Sequence, residues 1–150
     1  MTVVDLDEAR IANWRESELP IYEPDLHSVV EVARDGTDGR TPNLFFSTDI
    51  STAIQRADII FIAVNTPTKR IGVGAGSASD IGYVESAARM IAEAATEDKI
   101  IVEKSTVPCG TADRLRSIFA SLAPARNFSI LSSPEFLVSG QLTGDFRRVH

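Results

Sequence analysis

Cysteine and histidine are scarce in this chain, which contains one Cys and two His among its 150 residues. A single thiol cannot form an internal disulfide, and the two imidazoles do not have the spacing of metal ligands. Cys109 follows Thr-Val-Pro, and no His or Lys is patterned nearby to activate it. We therefore interpret Cys109 as a structural or incidental thiol, and the sequence predicts no metal site.

Long apolar runs and basic clusters are also missing. No stretch approaches the roughly 20 apolar residues of a membrane-spanning helix, and the N-terminus lacks the charged and apolar regions of a signal peptide. The formal net charge is −6, which argues against nucleic acid or anionic membranes as general partners. We expect a cytoplasmic protein with no nucleic-acid or membrane partner. With 43% hydrophobic residues, the chain suits one domain with its own core.

What the sequence does contain is a series of short apolar runs that end abruptly in polar signatures. The runs are rich in β-branched residues and lack polar alternation, which is typical of parallel strands covered on both faces. Three of them lead into polar segments that begin at Asn65, Glu103 and Ser132. Ligands bind at the carboxyl ends of parallel strands, so these segments predict a ligand site. The predicted strands are residues 2–5, 43–47, 58–64, 99–104 and 128–132.

Amphipathic stretches between these runs predict helices, and the alternation gives an α/β fold class. A stripe at three- and four-residue spacing predicts a helix over about residues 80–95, capped by Ser79 or Asp80: Ile81, Val84, Ala88, Ile91 and Ala95. Three further helices are predicted. The first runs from its cap, Asp7, through Trp14, and the second has Pro24 at its first position and buries Leu26, Val29, Val30 and Ala33. The third follows Pro108 and is capped by Thr111, with an apolar face formed by Leu115, Ile118, Phe119 and Leu122. We interpret Trp14 and Tyr22 as packing residues.

The first predicted strand ends in a carboxylate, Asp5, and Arg10 lies in the helix that follows. In dinucleotide-binding domains the second strand ends in an acid that accepts the hydroxyls of the adenosine ribose, which favours NAD. Asp5 could instead cap the next helix. The ribose-binding acid normally lies ~20 residues after a glycine-rich phosphate turn, whereas only four residues precede Asp5. The sequence therefore predicts a mainly parallel, doubly wound sheet of the Rossmann type that lacks its first strand, glycine-rich turn and first helix.

A second glycine-rich segment, Gly72-Val-Gly74-Ala-Gly76, lies between a predicted strand and a predicted helix. Its spacing does not fit the dinucleotide fingerprint, and it begins too far past the strand end to form a tight phosphate-binding turn. We interpret it as a loop that enters the following helix. A substitute phosphate loop is the alternative.

Six ordered blocks together resemble the nucleotide-sugar dehydrogenases, and within that family those that act on UDP-glucose: residues 2–11, 19–24, 43–48, 64–69, 103–108 and 133–137. The resemblance implies NAD-dependent oxidation of UDP-glucose to UDP-glucuronate. Carried over by position, the resemblance implies that Asp5 and Arg10 hold the adenosine ribose, that Ser105 approaches the nicotinamide side, and that the cofactor groove is lined by Val64, Asn65, Thr66 and Pro67. It implies that Thr106 helps to position a water and that Glu135 acts as acid and base. It also implies that the UDP-sugar is contacted by Glu135, Phe136, Leu137, Val138 and Ser139.

Several alternatives stay open beside these roles. Ser105 and Thr106 could satisfy backbone groups at a turn, and Glu135 could be an ordinary loop carboxylate. Ser139 also stands where relatives usually have a second carboxylate. The chain could be a fragment of a GDP-mannose or aminosugar dehydrogenase instead.

The resemblance also implies that residues 1–150 are a partial NAD-binding domain, truncated at both ends. We therefore expect no dehydrogenase turnover by this chain alone, because its phosphate turn and later catalytic domain would be missing. The alternative is a non-catalytic fragment that pairs with a full-length dehydrogenase or with itself. For the fold, we expect that the strands at 2–5 and 58–64 either pair directly or leave the chain marginally stable.

Overall fold

A computed structural model describes residues 1–72 and 75–134 of the chain. Its strands and helices follow one another in the order β1 (Thr2–Val4), α1 (Glu8–Asn13), α2 (Leu26–Asp35), β2 (Phe45–Ser47), α3 (Ile50–Arg56), β3 (Ile59–Ile62), α4 (Gly82–Ala94), β4 (Lys99–Glu103), α5 (Thr111–Leu122) and β5 (Phe128–Ser132). The predicted α/β class is confirmed. The described residues divide into two compact units, one of residues 1–53 and one of residues 54–134.

The first unit is built on the parallel pair β1 and β2, in the register Thr2 to Phe45. The indole ring of Trp14 stacks on Phe46 with 5.8 Å between ring centroids. Ile11 and Val30 are buried as well. The packing role predicted for Trp14 is confirmed, whereas Tyr22 is 90% exposed and the packing role predicted for it is wrong.

The predicted cap of the first helix is confirmed. The Asp7 side chain accepts hydrogen bonds from the backbone amides of Ala9 and Arg10, so it satisfies donors that have no partner within α1. The predicted start of the second helix is wrong. α2 begins at Leu26 after Asp25, whose φ is 64°, so Pro24 lies outside the helix.

The second unit is a three-stranded parallel sheet in the order β3-β4-β5. α4 and α5 are its two connections, and right-handed crossovers that advance in one direction place both helices on the same face. That face holds the buried core, in which Val84, Ala88, Ile101 and Leu115 are fully covered. The helix-facing stripe predicted for residues 80–95 is therefore confirmed.

The opposite face of this sheet differs from the prediction. Ile59, Phe61, Ile100 and Leu131 lie on it by register, and they are 39–60% exposed. The strands were predicted to be covered on both faces, but within the described residues the helical face is covered and, on the opposite face, only Val102 of the central strand is buried. The reason is the common direction of the two crossovers.

Details of two predicted helix ends are also corrected. Gly110, with φ of 86°, occupies the cap position of α5, while the Thr111 hydroxyl donates to the Pro108 carbonyl. Leu122, predicted to face the core, is 42% exposed at the last position of α5. The N-cap position of α4 is Ile81 and not Ser79 or Asp80, although the Asp80 carboxylate accepts a hydrogen bond from the amide of Gly82 in the first turn.

The described strands form two parallel sheets rather than one. β1 pairs with β2 in one sheet, and β3 pairs with β4 in the other. Of the two expected alternatives, the direct pairing between residues 2–5 and 58–64 is therefore not formed among the described strands, and marginal stability stays a prediction. Within residues 1–72 and 75–134, no helix is both long enough and apolar enough to cross a bilayer.

Candidate functional site

Asp5 lies one residue beyond the carboxyl end of β1. Its Oδ1 accepts the amide of Asp7 at 3.0 Å, and its Oδ2 forms an ion pair with Arg10 Nη1 at 2.8 Å. The amide of Asp7 is the main cause that lowers the pKa of Asp5; partial burial opposes it, and Arg10 adds to the lowering. Asp5 is therefore a fixed, ionised carboxylate whose side chain is still 30% exposed.

The alternative role of Asp5 as a helix cap is wrong, because Asp7 is the N-cap of α1. Asp5 instead closes a short turn with the Asp7 amide. The structure brings the two predicted ribose ligands, Asp5 and Arg10, together in the first unit. Their ribose-binding role stays a prediction.

Ser105 lies two residues past the end of β4, and its hydroxyl is hydrogen-bonded to Val64, two residues past the end of β3. Ser105 Oγ accepts the amide of Val64 at 2.9 Å and donates to the Val64 carbonyl at 2.8 Å. The residue is 6% exposed. Since both hydrogen-bonding functions of this hydroxyl are used internally, the geometry favours the backbone-satisfying alternative, and the nicotinamide contact stays a prediction.

Thr66 and Thr106 are joined across the same strand ends. Thr66 Oγ1 donates to the Thr106 carbonyl at 2.9 Å. The backbone of Pro67 is occupied too, because its carbonyl accepts the amide of Asp80 at 2.7 Å. The predicted residues Val64, Thr66, Ser105 and Thr106 are thus neighbours at the carboxyl edge of one sheet, and Asn65 lies between the first two in the chain.

The glycine-rich segment forms part of a closed loop. Thr68 bridges Ser79, and Lys69 accepts the amide of Gly76 at 2.8 Å on its carbonyl. An amide that binds the loop's own backbone is not available to a phosphate. The loop interpretation is favoured over the substitute phosphate loop; Val73 and Gly74 lie outside the described residues.

Glu103 is a candidate functional residue that sequence reasoning missed. It ends β4 and is 0% exposed. The hydroxyl of Ser132 donates to its Oε2 at 2.9 Å, and burial raises the pKa of Glu103 while this hydrogen bond acts to lower it. The available signal was an acid at the last position of an apolar run, inside a predicted strand.

The remaining predicted positions give no site geometry. Glu135, Phe136, Leu137, Val138 and Ser139 lie outside the described residues. Cys109 is an exposed free thiol, and no group of three or more metal-ligating side chains occurs in the described ranges. Two open depressions, of about 490 Å³ at Asp35–Pro42 and about 400 Å³ around Cys109, contain no predicted site residue in their linings.

Parallel strands joined by helices, with an ionised acid after β1 and polar groups after β3 and β4, define a nucleotide-binding α/β domain of the Rossmann type. The chain belongs to the UDP-glucose/GDP-mannose dehydrogenase family: the sequence model of its NAD binding domain matches residues 1–150. NAD is therefore the cofactor of the family domain that this chain represents.

Relatives of known activity and structure agree with this assignment. The chain is 53% identical over 146 residues to UDP-glucose 6-dehydrogenase of Drosophila melanogaster, covering 97% of the chain and 29% of the relative. It is 51% identical over 145 residues to UDP-glucose 6-dehydrogenase 3 of Oryza sativa subsp. japonica, with the same coverage.

The structure of a UDP-glucose dehydrogenase from Pyrobaculum islandicum superimposes with a TM-score of 0.81 at 33% identity, covering 97% of this chain and 32% of that one. A UDP-D-ManNAc dehydrogenase from Pyrococcus horikoshii gives a TM-score of 0.79 at 21% identity, covering 96% of this chain and 32% of that one, and shows the shared fold. The chain thus spans about a third or less of the length of these relatives.

Proposed function

We propose that this chain supplies the cofactor-binding part of an NAD-dependent dehydrogenase that oxidises UDP-glucose to UDP-glucuronate in the cytoplasm. One observation carries the proposal: the oriented, ionised carboxylate of Asp5 at the carboxyl end of β1. The names of the relatives support UDP-glucose over the GDP-mannose and aminosugar alternatives.

The geometry of Asp5 fits the adenosine ribose of NAD. Two vicinal hydroxyls need two nearby acceptors, and a carboxylate is the side chain that supplies them. Arg10 and the Asp7 amide fix the orientation of the group. A 2′-phosphate would meet this negative charge, so Asp5 selects NAD over its phosphorylated relative.

The test is NADH binding to the chain, followed by energy transfer from its single tryptophan, Trp14. In Asp5→Asn we expect the affinity for NADH to fall by about 10- to 100-fold, the range for losing hydrogen bonds to a charged group. Asp38→Asn is the matched control, since it makes the same change at an exposed loop position. Equal affinities in both variants, or no NADH binding by the native chain, would overturn the proposal.

The second unit, taken by itself, also carries predicted site residues. We assign the backbone of Val64–Pro67 to the wall of the cofactor groove and Thr106 to the positioning of a water. The hydrogen bonds of Ser105 to Val64 and of Thr66 to Thr106 support this, because they hold the two strand ends in a fixed relation. Bound NAD would supply the hydride acceptor. Glu135 as acid and base, with residues 135–139 against the UDP-sugar, completes the proposal.

A second candidate function is a non-catalytic partner of an intact dehydrogenase or of a second copy of this chain. The exposed apolar face of β3, β4 and β5, formed by Ile59, Phe61, Ile100 and Leu131, favours it. The test is co-purification of the tagged chain with an intact UDP-glucose 6-dehydrogenase. Separate elution of the two proteins at micromolar concentration would exclude the pairing with intact enzyme.

A further inference from the structure

Glu103 binds the end of β5 twice. It is the register partner of Ser132, and its Oε2 accepts the Ser132 hydroxyl at 2.9 Å. Its backbone carbonyl accepts the amide of Ser133, also at 2.9 Å. Pro134 has no amide hydrogen, so it cannot continue the ladder. Main chain and side chain of Glu103 therefore act together at the last residues of β5.

The environment of the Glu103 carboxyl disfavours its ionised form. The side chain is fully buried, and its Oε1 has no hydrogen-bond partner. No ion pair within the described residues involves Glu103. An ionised carboxylate with one hydroxyl donor and no cation is costly to desolvate, and this burial raises the pKa of Glu103. In either protonation state, Oε2 accepts the hydrogen bond of Ser132.

The location of this pair connects it to the proposed reaction. Ser132 is three residues before Glu135, and the chain between them is Ser133-Pro134. A shift of the end of β5 would also shift the chain that follows it, and catalytic groups tolerate little displacement.

We propose that Glu103 is a positioning residue: its buried carboxyl holds the Ser132 hydroxyl, its backbone carbonyl holds the Ser133 amide, and together they set the point from which the chain continues to Glu135. The catalytic importance of Glu103 rests on the proposed function, whereas its role in fixing the end of β5 does not. Gln is the conservative replacement, because its carbonyl can accept from Ser132 and it carries no charge.

The experiment measures amide hydrogen exchange by NMR on the 150-residue chain. In Ser132→Ala and Glu103→Ala we expect the Ser133 amide to exchange about three- to tenfold faster, as the loss of one ordinary hydrogen bond predicts. The amide of Ala95, which donates to Ile91 at the end of α4, should keep its rate. Glu103→Gln should restore native exchange at Ser133.

Ser129→Ala is the matched control, since Ser129 lies on the same strand but on the opposite face by register. The proposal is overturned if Ser132→Ala behaves like Ser129→Ala, or if Glu103→Gln exchanges as fast as Glu103→Ala. If Glu103→Ala does not fold, Ser132→Ala and Glu103→Gln still decide. A parallel NADH titration separates the two proposals, because it depends on Asp5 and not on Glu103.

Discussion

At the scale of single residues, Glu103 makes stability depend on pH. Burial raises its pKa, so the native state holds this proton more tightly than the unfolded chain does. The free energy of unfolding therefore falls as pH rises above about 4.5 toward the folded pKa, by at most about 1.4 kcal/mol per pH unit. Glu103→Gln removes this titration. We expect urea denaturation across this range to show a smaller loss for the variant, and parallel curves would contradict the assignment.

Ser105 offers a second test at this scale. Ser105→Ala removes the partner of the Val64 amide at a buried position, and we expect the free energy of unfolding to fall by about 1–3 kcal/mol. Ser117→Ala removes an exposed hydroxyl of α5 and should change little. Unchanged stability combined with weaker NADH binding in Ser105→Ala would instead support the nicotinamide contact.

The sequence predicted some of these residues because their signals are local. Asp7 as a cap and Asp5 with Arg10 at a strand end follow from positions a few residues apart. Glu103 and Ser105 act on partners 29 and 41 residues away, Ser132 and Val64. Such pairs depend on strand register, which no local pattern determines.

At the scale of elements, the middle of α5 is buried in the core, whereas its C-terminal end is partly exposed. Leu115 is fully covered, whereas Leu122 on the same helix is 42% exposed. We expect Leu115→Ala to lower the free energy of unfolding by about 2–5 kcal/mol, and Leu122→Ala to cost much less. Urea denaturation of the two variants checks this. Similar losses would show that the core of the second unit lies elsewhere.

The helix ends show what periodicity can and cannot predict. The apolar stripe of α4 was predicted correctly, because spacing at three and four residues reports the buried face. The start of α5 was misplaced by one residue. Gly110 adopts a left-handed conformation and takes the cap position, so Thr111 is the first residue of the helix despite its own preference for capping.

At the scale of the whole molecule, the class of fold could be predicted from the sequence, whereas the burial of each sheet face could not. Alternating strands and helices gave parallel sheets, which the structure confirms. The same apolar runs predicted coverage on both faces. Composition cannot distinguish a buried strand face from one left exposed among the described residues, as Phe61 and Leu131 are.

This exposed face leads to the last prediction. Four large apolar side chains on one sheet face favour association between copies of the chain. We expect the sedimentation coefficient of the native chain to rise with concentration. Phe61→Lys should suppress that rise, because a charge on the contact surface would have to be desolvated. Tyr83→Lys is the control, since Tyr83 is equally exposed at 60% but lies on α4. A native chain that sediments as a monomer throughout would show that this face does not drive self-association.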